Sequence, residues 1–239
     1  MPSILITGVN RGLGFELARQ YADDGWRVFG TCRDTAAGKP LLDAVAAAPG
    51  KLSLHALEVR DFGQIDALAT SLAGEAIDVL LNNAGIMENR EKYPLEKLDY
   101  ALWEDVLRTN TLAPVKMAAA FADHVARSAR KIIVTLTSSL GSLTMNEMGG
   151  APFGCGGNYM YRTSKAALHM ATRNLALDLK PRGITVAVIS PGNVRTEMGG
   201  PNAPLGPEES ITGVRKVIAG LNIGKSGKFF YVDGRALPW

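Results

Sequence analysis

The sequence holds only two cysteines, Cys32 and Cys155, in 239 residues. That is too few for a disulfide framework, and neither has a second Cys or a His at metal-ligand spacing. Both are expected to be reduced thiols. The three histidines, His55, His124 and His169, lie far apart, so no metal centre is expected. Charge of one sign is not in excess: 26 Lys and Arg face 23 Asp and Glu, and no long basic run occurs. Nucleic-acid binders concentrate Lys and Arg on one face, so no nucleic-acid partner is expected. No stretch approaches the ~18 apolar residues of a membrane span. Met1, Pro2 and Ser3 lead straight into the apolar residues 4–6, without the basic and apolar regions of a targeting peptide. A cytoplasmic protein without a membrane partner is expected. Internal repeats and dividing linkers are also missing, so residues 1–239 read as a single domain. With 46% hydrophobic and 21% charged residues, the chain has material for a core, which excludes a disordered polymer. Its 26 glycines exceed the usual ~7% and direct attention to tight turns.

Short apolar runs alternate with segments of helical period. Strands are expected at 3–7, 28–32, 52–57, 78–82, 131–137, 185–190 and 228–232. Helices are expected at 12–24, 41–48, 62–72, 99–129, 159–180 and 208–221, with Pro114 bending the long 99–129 segment. Strands joined through helices of ten or more residues imply parallel crossovers. The fold class is therefore α/β, a single doubly wound parallel sheet of the Rossmann type with helices on both faces.

The first strand runs into Thr7-Gly8-Val9-Asn10-Arg11-Gly12-Leu13-Gly14, and a helix opens at once. Glycines at such a turn let backbone approach a pyrophosphate and aim free amides at it. The T-G-x-x-x-G-x-G spacing resembles the short-chain dehydrogenase/reductase family. Asn82-Asn83-Ala84-Gly85 after the fourth strand, Asn110, Ser138, the pair Tyr161 and Lys165 in Y-x-x-x-K, and Pro191-Gly192 with Thr196 follow in that family's order. The resemblance spans essentially the whole chain and is strongest to the sniffer and C-factor branch of carbonyl reductases. It implies cofactor contacts from Gly8, Asn10, Arg11, Gly12, Leu13 and Gly14, and from Asn83, Ala84, Gly85, Pro191, Gly192, Val194 and Thr196.

An NAD enzyme places a carboxylate at the end of the second strand to accept from the ribose 2′-hydroxyl. Cys32 holds that place here, followed by Arg33, whose guanidinium suits a 2′-phosphate. Arg11 offers a second positive charge, while Asp34 is a contrary feature. NADPH (NADP+) is the expected cofactor. The family usually carries Asp beside the adenine; Glu58 stands there instead, followed by Val59, whose contact would be through backbone.

Tyr161 and Lys165 are four apart and share a helix face. A free phenol, with a pKa near ~10, exchanges protons poorly at neutral pH, and a nearby ammonium is expected to lower it. Tyr159 has only Thr163 four residues on. The resemblance makes Tyr161 the general acid and adds Lys165 as a ligand of the nicotinamide ribose. It makes Ser138 the group that orients a substrate carbonyl, and Asn110 the holder of a water linked to Lys165. The family's serine stands three residues before a glycine; Gly141 therefore selects Ser138 over Ser139. The 23-residue separation of Ser138 and Tyr161 is longer than is common in the family and holds Gly149, Gly150, Gly154, Gly156 and Gly157. It reads either as a shaper of the substrate pocket or as a solvated loop. Residues 198–207 occupy the place of the family's substrate lid, and the helical regions 118–129 and 166–179 are those that pair in its dimers, so a homodimer is expected. The resulting expectation is an NADPH-dependent reductase of a small-molecule ketone, aldehyde or quinone. The alternative is a C-factor-type signalling protein that binds NADP(H) with little turnover.

Overall fold

A computed structural model describes residues 1–89, 91–147 and 156–239 of the chain. Cys155 and the glycines 149, 150 and 154 lie outside the described residues. The strands are β1 (Ser3–Thr7), β2 (Arg27–Cys32), β3 (Lys51–Ala56), β4 (Val79–Asn82), β5 (Ile132–Leu136), β6 (Thr185–Ser190) and β7 (Lys228–Tyr231). They form one parallel sheet in the order β3-β2-β1-β4-β5-β6-β7. The winding reverses between β1 and β4, which opens a crevice at the carboxyl ends of those strands.

The helices are α1 (Gly12–Asp23), α2 (Lys39–Ala44), α3 (Phe62–Ser71), α4 (Tyr100–Leu107), α5 (Ala113–Ala126), α6 (Leu143–Glu147), α7 (Tyr159–Leu179) and α8 (Pro207–Ala219). Alternation along β1 divides the core. Ile4 and Ile6 pack with Leu17 and Tyr21 of α1 and Ile211, Val214 and Ile218 of α8. Leu5 points the other way, to Ile65 and Leu68 of α3, Phe121 of α5 and Leu179 of α7. β1, β4, β5 and β6 are buried along their whole length, as a sheet covered on both faces requires. The edge strand β3 instead alternates exposed and half-buried residues.

Three local features depart from the expected pattern. The 99–129 region is not one bent helix: a π-helical segment, Arg108–Leu112, separates α4 from α5. Pro114 lies in the first turn of α5, beyond the break, where its missing N–H leaves the carbonyl of Asn110 without an α-helical donor. α2 stops at Ala44, well before residue 48, and Pro49 disfavours helical backbone in the residue preceding it. The short α6 has no counterpart in the sequence reading.

Candidate active site

Gly8 takes φ +76° and Gly12 φ +58°, the left-handed region that glycine enters without a Cβ clash. A Cβ on Gly14 would overlap the Gly8 carbonyl oxygen and stand 2.5 Å from Asn83 Nδ2. The β4 loop clips this turn in place. Thr7 Oγ1 accepts from the amides of Asn83 and Ala84, each at 3.0 Å. Asn83 Nδ2 donates to the carbonyls of Thr7 (2.8 Å) and Gly8 (3.0 Å). Arg11, the residue before α1, makes no side-chain cap, so the helix presents its first amides and positive dipole end without a capping side chain. A pyrophosphate fits these features. Asn10 is half-buried and Leu13 packs partly against the core.

At the end of β2, Cys32 is buried and its thiol donates to the Asp34 carbonyl at 3.2 Å. The Arg33 side chain is 73% exposed, with its guanidinium 4.0 Å from Glu58. Asp34 Oδ1 accepts from the amide of Ala36 at 2.9 Å, so this carboxylate caps a turn. Burial pushes the Glu58 carboxyl up, but hydrogen bonds from the Arg60 side chain and amide outweigh this and hold it below the usual range. Val59 is buried beside it.

The segment after β6 bends back toward the glycine turn. Gly192, following Pro191, has φ +81°, and Val194 bridges Leu205. The Thr196 methyl lies 3.9 Å from where a Cβ of Gly12 would stand, and Glu197 pairs with Arg11 across the opening.

Tyr161 and Lys165 sit one turn apart on α7, 8% and 5% exposed. Lys165 Nζ donates to the Leu136 carbonyl at the end of β5 (3.0 Å) and lies 5.6 Å from the Tyr161 ring centre. Ser138, two residues further along the chain, lies beside the phenol, and its Oγ accepts from Leu140 N at 3.2 Å. Ser139 instead opens a 3-10 turn ending at Gly141. A Cβ on Gly141 would stand 2.7 Å from Lys165 Cβ, so this turn needs glycine to lie against α7. Burial drives both the Tyr161 phenol and the Lys165 amine toward their neutral forms. The phenol is pushed up to about 12; the Ser138 bond partly opposes this and the charge of Glu88 adds to it. Lys165 is pushed down to about 8 by burial. The net shift of the phenol is therefore upward, the reverse of the lowering expected from Lys165, because desolvation dominates.

Asn110, in the π-helical segment, serves as a clamp. Its Oδ1 accepts from Ile86 N (2.9 Å), and its Nδ2 donates to Ile86 O (2.8 Å) and Ser164 Oγ (3.0 Å). Gly85 lies against it, a Cβ there standing 3.2 Å from Asn110 Oδ1. Glu88 was not singled out by sequence reading: its buried carboxylate accepts from the Met160 and Tyr161 amides at 3.1 and 3.0 Å. The histidines stand apart, as expected. His169 lies behind Lys165, bonded to Thr137 Oγ1 at 2.7 Å, while His55 pairs with Ser53 and His124 with the Ala69 carbonyl. Among the described residues no cluster could hold a metal ion, and no helix is long and apolar enough to cross a membrane.

Four similarities bear on this arrangement. The C-signal protein of Myxococcus xanthus is 39% identical over 173 residues, 72% of this chain and 99% of that one. The solved structure of the carbonyl reductase Sniffer of D. melanogaster superimposes with a TM-score of 0.89 at 33% identity over the whole of both chains. An NADPH-bound carbonyl reductase from chicken fatty liver gives 0.89 at 30% identity, covering 100% of this chain and 99% of that one. The family model of short chain dehydrogenases matches residues 2–204. With the clipped glycine turn, the reversal of winding beside it and a Tyr–Lys pair at the same strand ends, the chain belongs to the short chain dehydrogenase family.

Proposed function

We propose that the chain is an NADPH-dependent reductase of a small-molecule carbonyl compound, a ketone, aldehyde or quinone, with Tyr161 as general acid. The observation that carries this is the buried phenol of Tyr161 beside Ser138, with the buried Lys165 one helical turn away. When bound, the reduced nicotinamide supplies the hydride. Ser138 orients the carbonyl oxygen toward the phenol. With its pKa near 12, the phenol is fully protonated at neutral pH, yet remains more acidic than an aliphatic alcohol. It therefore gives its proton to a developing alkoxide. Lys165, pushed down to about 8, is still mostly an ammonium at pH 7. Its attraction for phenolate arises only once the proton has moved, which favours the reacting configuration over the resting one.

The glycine turn holds the pyrophosphate through the free amides of α1. Arg33 and Arg11 hold the 2′-phosphate, while one oxygen of Asp34 is engaged by the Ala36 amide. The carbonyl of Asn110, which Pro114 leaves without an α-helical donor, holds a water leading to Lys165. On this reading the chain is a cytoplasmic homodimer packed through α5 and α7, where Met170 and Leu177 are exposed.

NADPH oxidation with a panel of carbonyl compounds tests the proposal, with a Tyr161→Phe variant alongside. The variant is expected to lose ~10²-fold or more of the rate. Equal rates for the two proteins would refute the mechanism. The 39% identity to C-signal favours a second reading, a signalling protein that binds NADP(H) with little turnover. Tight NADPH binding without turnover on any carbonyl class would select it.

A further inference from the structure

We propose that Glu88 is a positioning residue for Tyr161: its carboxylate, delivered from the loop after β4, caps the first turn of α7 and ties the reactive helix to the loop that clips the glycine turn. This rests on the reading of Tyr161 as the general acid. The residue before the helix, Asn158, has left-handed backbone (φ 52°, ψ 40°) and makes no side-chain cap bond. The first amides of α7 therefore need an acceptor from elsewhere in the fold. Glu88 supplies it across 72 residues of sequence, Oε1 accepting from Met160 N at 3.1 Å and Oε2 from Tyr161 N at 3.0 Å. Both oxygens act as acceptors, and the positive end of the helix dipole favours a carboxylate at this place. At 5% exposure, a carboxylate is retained only where such partners meet it.

The Glu88 loop is itself held firmly. Asn110 bonds both backbone groups of Ile86, two residues earlier, and Asn158 Nδ2 reaches Met87 Sδ at 3.7 Å. Ser164, bonded by the same Asn110 amide, donates to the carbonyl of Tyr161. Tyr161 is thus fixed at its amide by Glu88 and at its carbonyl through Ser164 and Asn110. Among the described residues, the charged or titratable groups around the phenol are Lys165 on α7 and Glu88 on its loop; His169, a further turn along α7, is held neutral by burial. The Glu88 charge adds to the burial that pushes the phenol up.

The test compares wild type, Glu88→Ala and Glu88→Gln, with Tyr161→Phe as reference. Hydrogen exchange at the Met160 and Tyr161 amides is expected to speed up about 10- to 100-fold on loss of a charged acceptor. kcat falls about tenfold or more while KM for NADPH stays within about threefold, because the dinucleotide contacts are untouched. The ultraviolet titration of Tyr161, taken as the difference from Tyr161→Phe, moves to lower pH. A merely structural cap would leave that titration and the kcat-to-KM split unchanged. Should Glu88→Ala not fold, Glu88→Gln carries the same measurements, since it keeps the volume and one acceptor. Unchanged exchange at residues 160 and 161, or an unmoved kcat and titration, overturns the proposal. If Tyr161→Phe itself turns over like wild type, the general-acid reading is what fails, and the exchange data still decide the cap.

Discussion

A methyl group at Gly14 is the smallest change that should dismantle the dinucleotide turn. Its Cβ would overlap the Gly8 carbonyl oxygen, with the carbonyl carbon at 2.8 Å and Asn83 Nδ2 at 2.5 Å. Two of these atoms are backbone, so no flexible side chain can yield. The carbonyl carbon alone must retreat by about 1 Å to reach van der Waals separation. That movement breaks the 3.0 Å bond from Asn83 to Gly8 and strains the 2.8 Å bond to Thr7. Overpacking of this kind costs roughly 1–3 kcal/mol, and each lost hydrogen bond about 1 kcal/mol more. Gly14→Ala should therefore lose about 2–4 kcal/mol, which in a chain of this size lowers Tm by roughly 5–15 °C. The displaced amides should also weaken NADPH binding by at least about tenfold. Gly74→Ala is the matched control, because a Cβ there meets nothing within 4 Å, and its Tm should stay within about 2 °C of wild type. Thermal melting and fluorescence titration with NADPH read both effects. If Gly14→Ala melts with wild type and binds NADPH equally well, the turn does not have the close approach described.

Arg33→Ala should raise the Kd for NADPH about tenfold and leave that for NADH nearly unchanged, since the guanidinium is 73% exposed and its contact with Glu58, at 4.0 Å, is loose enough to leave it available to a 2′-phosphate. Equal losses for both nucleotides would assign Arg33 a structural role instead. His169 is pushed down to about 3, by burial first and then by the charge of Lys165. Between pH 6.5 and 3 the unfolded chain binds a proton that the folded chain refuses. The stability from neutral His169 is therefore complete above pH 6.5 and falls by about 1.4 kcal/mol per unit on acidification. Urea unfolding of His169→Gln should show a flatter acid limb, and a limb as steep as wild type would contradict the assignment.

The strands were the most legible part of the chain. β1 and β6 fall on the expected residues, because each is a continuous apolar run closed by Gly8 or by Pro191. The break between α4 and α5 was not legible: a π-helical turn inserts one residue without destroying the apolar rhythm on either side. α6 escaped notice because it has five residues and leaves Leu143 70% exposed, so it carries no amphipathic signal. At the site, the Tyr161–Lys165 spacing was visible because it is local to one helix. Glu88 was not, since its partners lie 72 residues away and nothing in residues 88–97 marks one carboxylate as buried. The phenol's rise to about 12 was likewise invisible, because it comes from burial, which spacing along a helix does not report.

The most direct test of the account follows the hydride and the proton together. Wild-type protein and Tyr161→Phe are given NADPH deuterated at the transferring position of the nicotinamide, with a ketone, an aldehyde and a quinone in turn. The product is read by mass spectrometry. Wild type should yield an alcohol carrying one deuterium on the former carbonyl carbon, or, from the quinone, a hydroquinone formed as the deuterated cofactor is consumed. Tyr161→Phe should form product ~10²-fold more slowly. An alcohol without the label, or undiminished product from the phenylalanine variant, would contradict a buried phenol acting beside a bound nicotinamide.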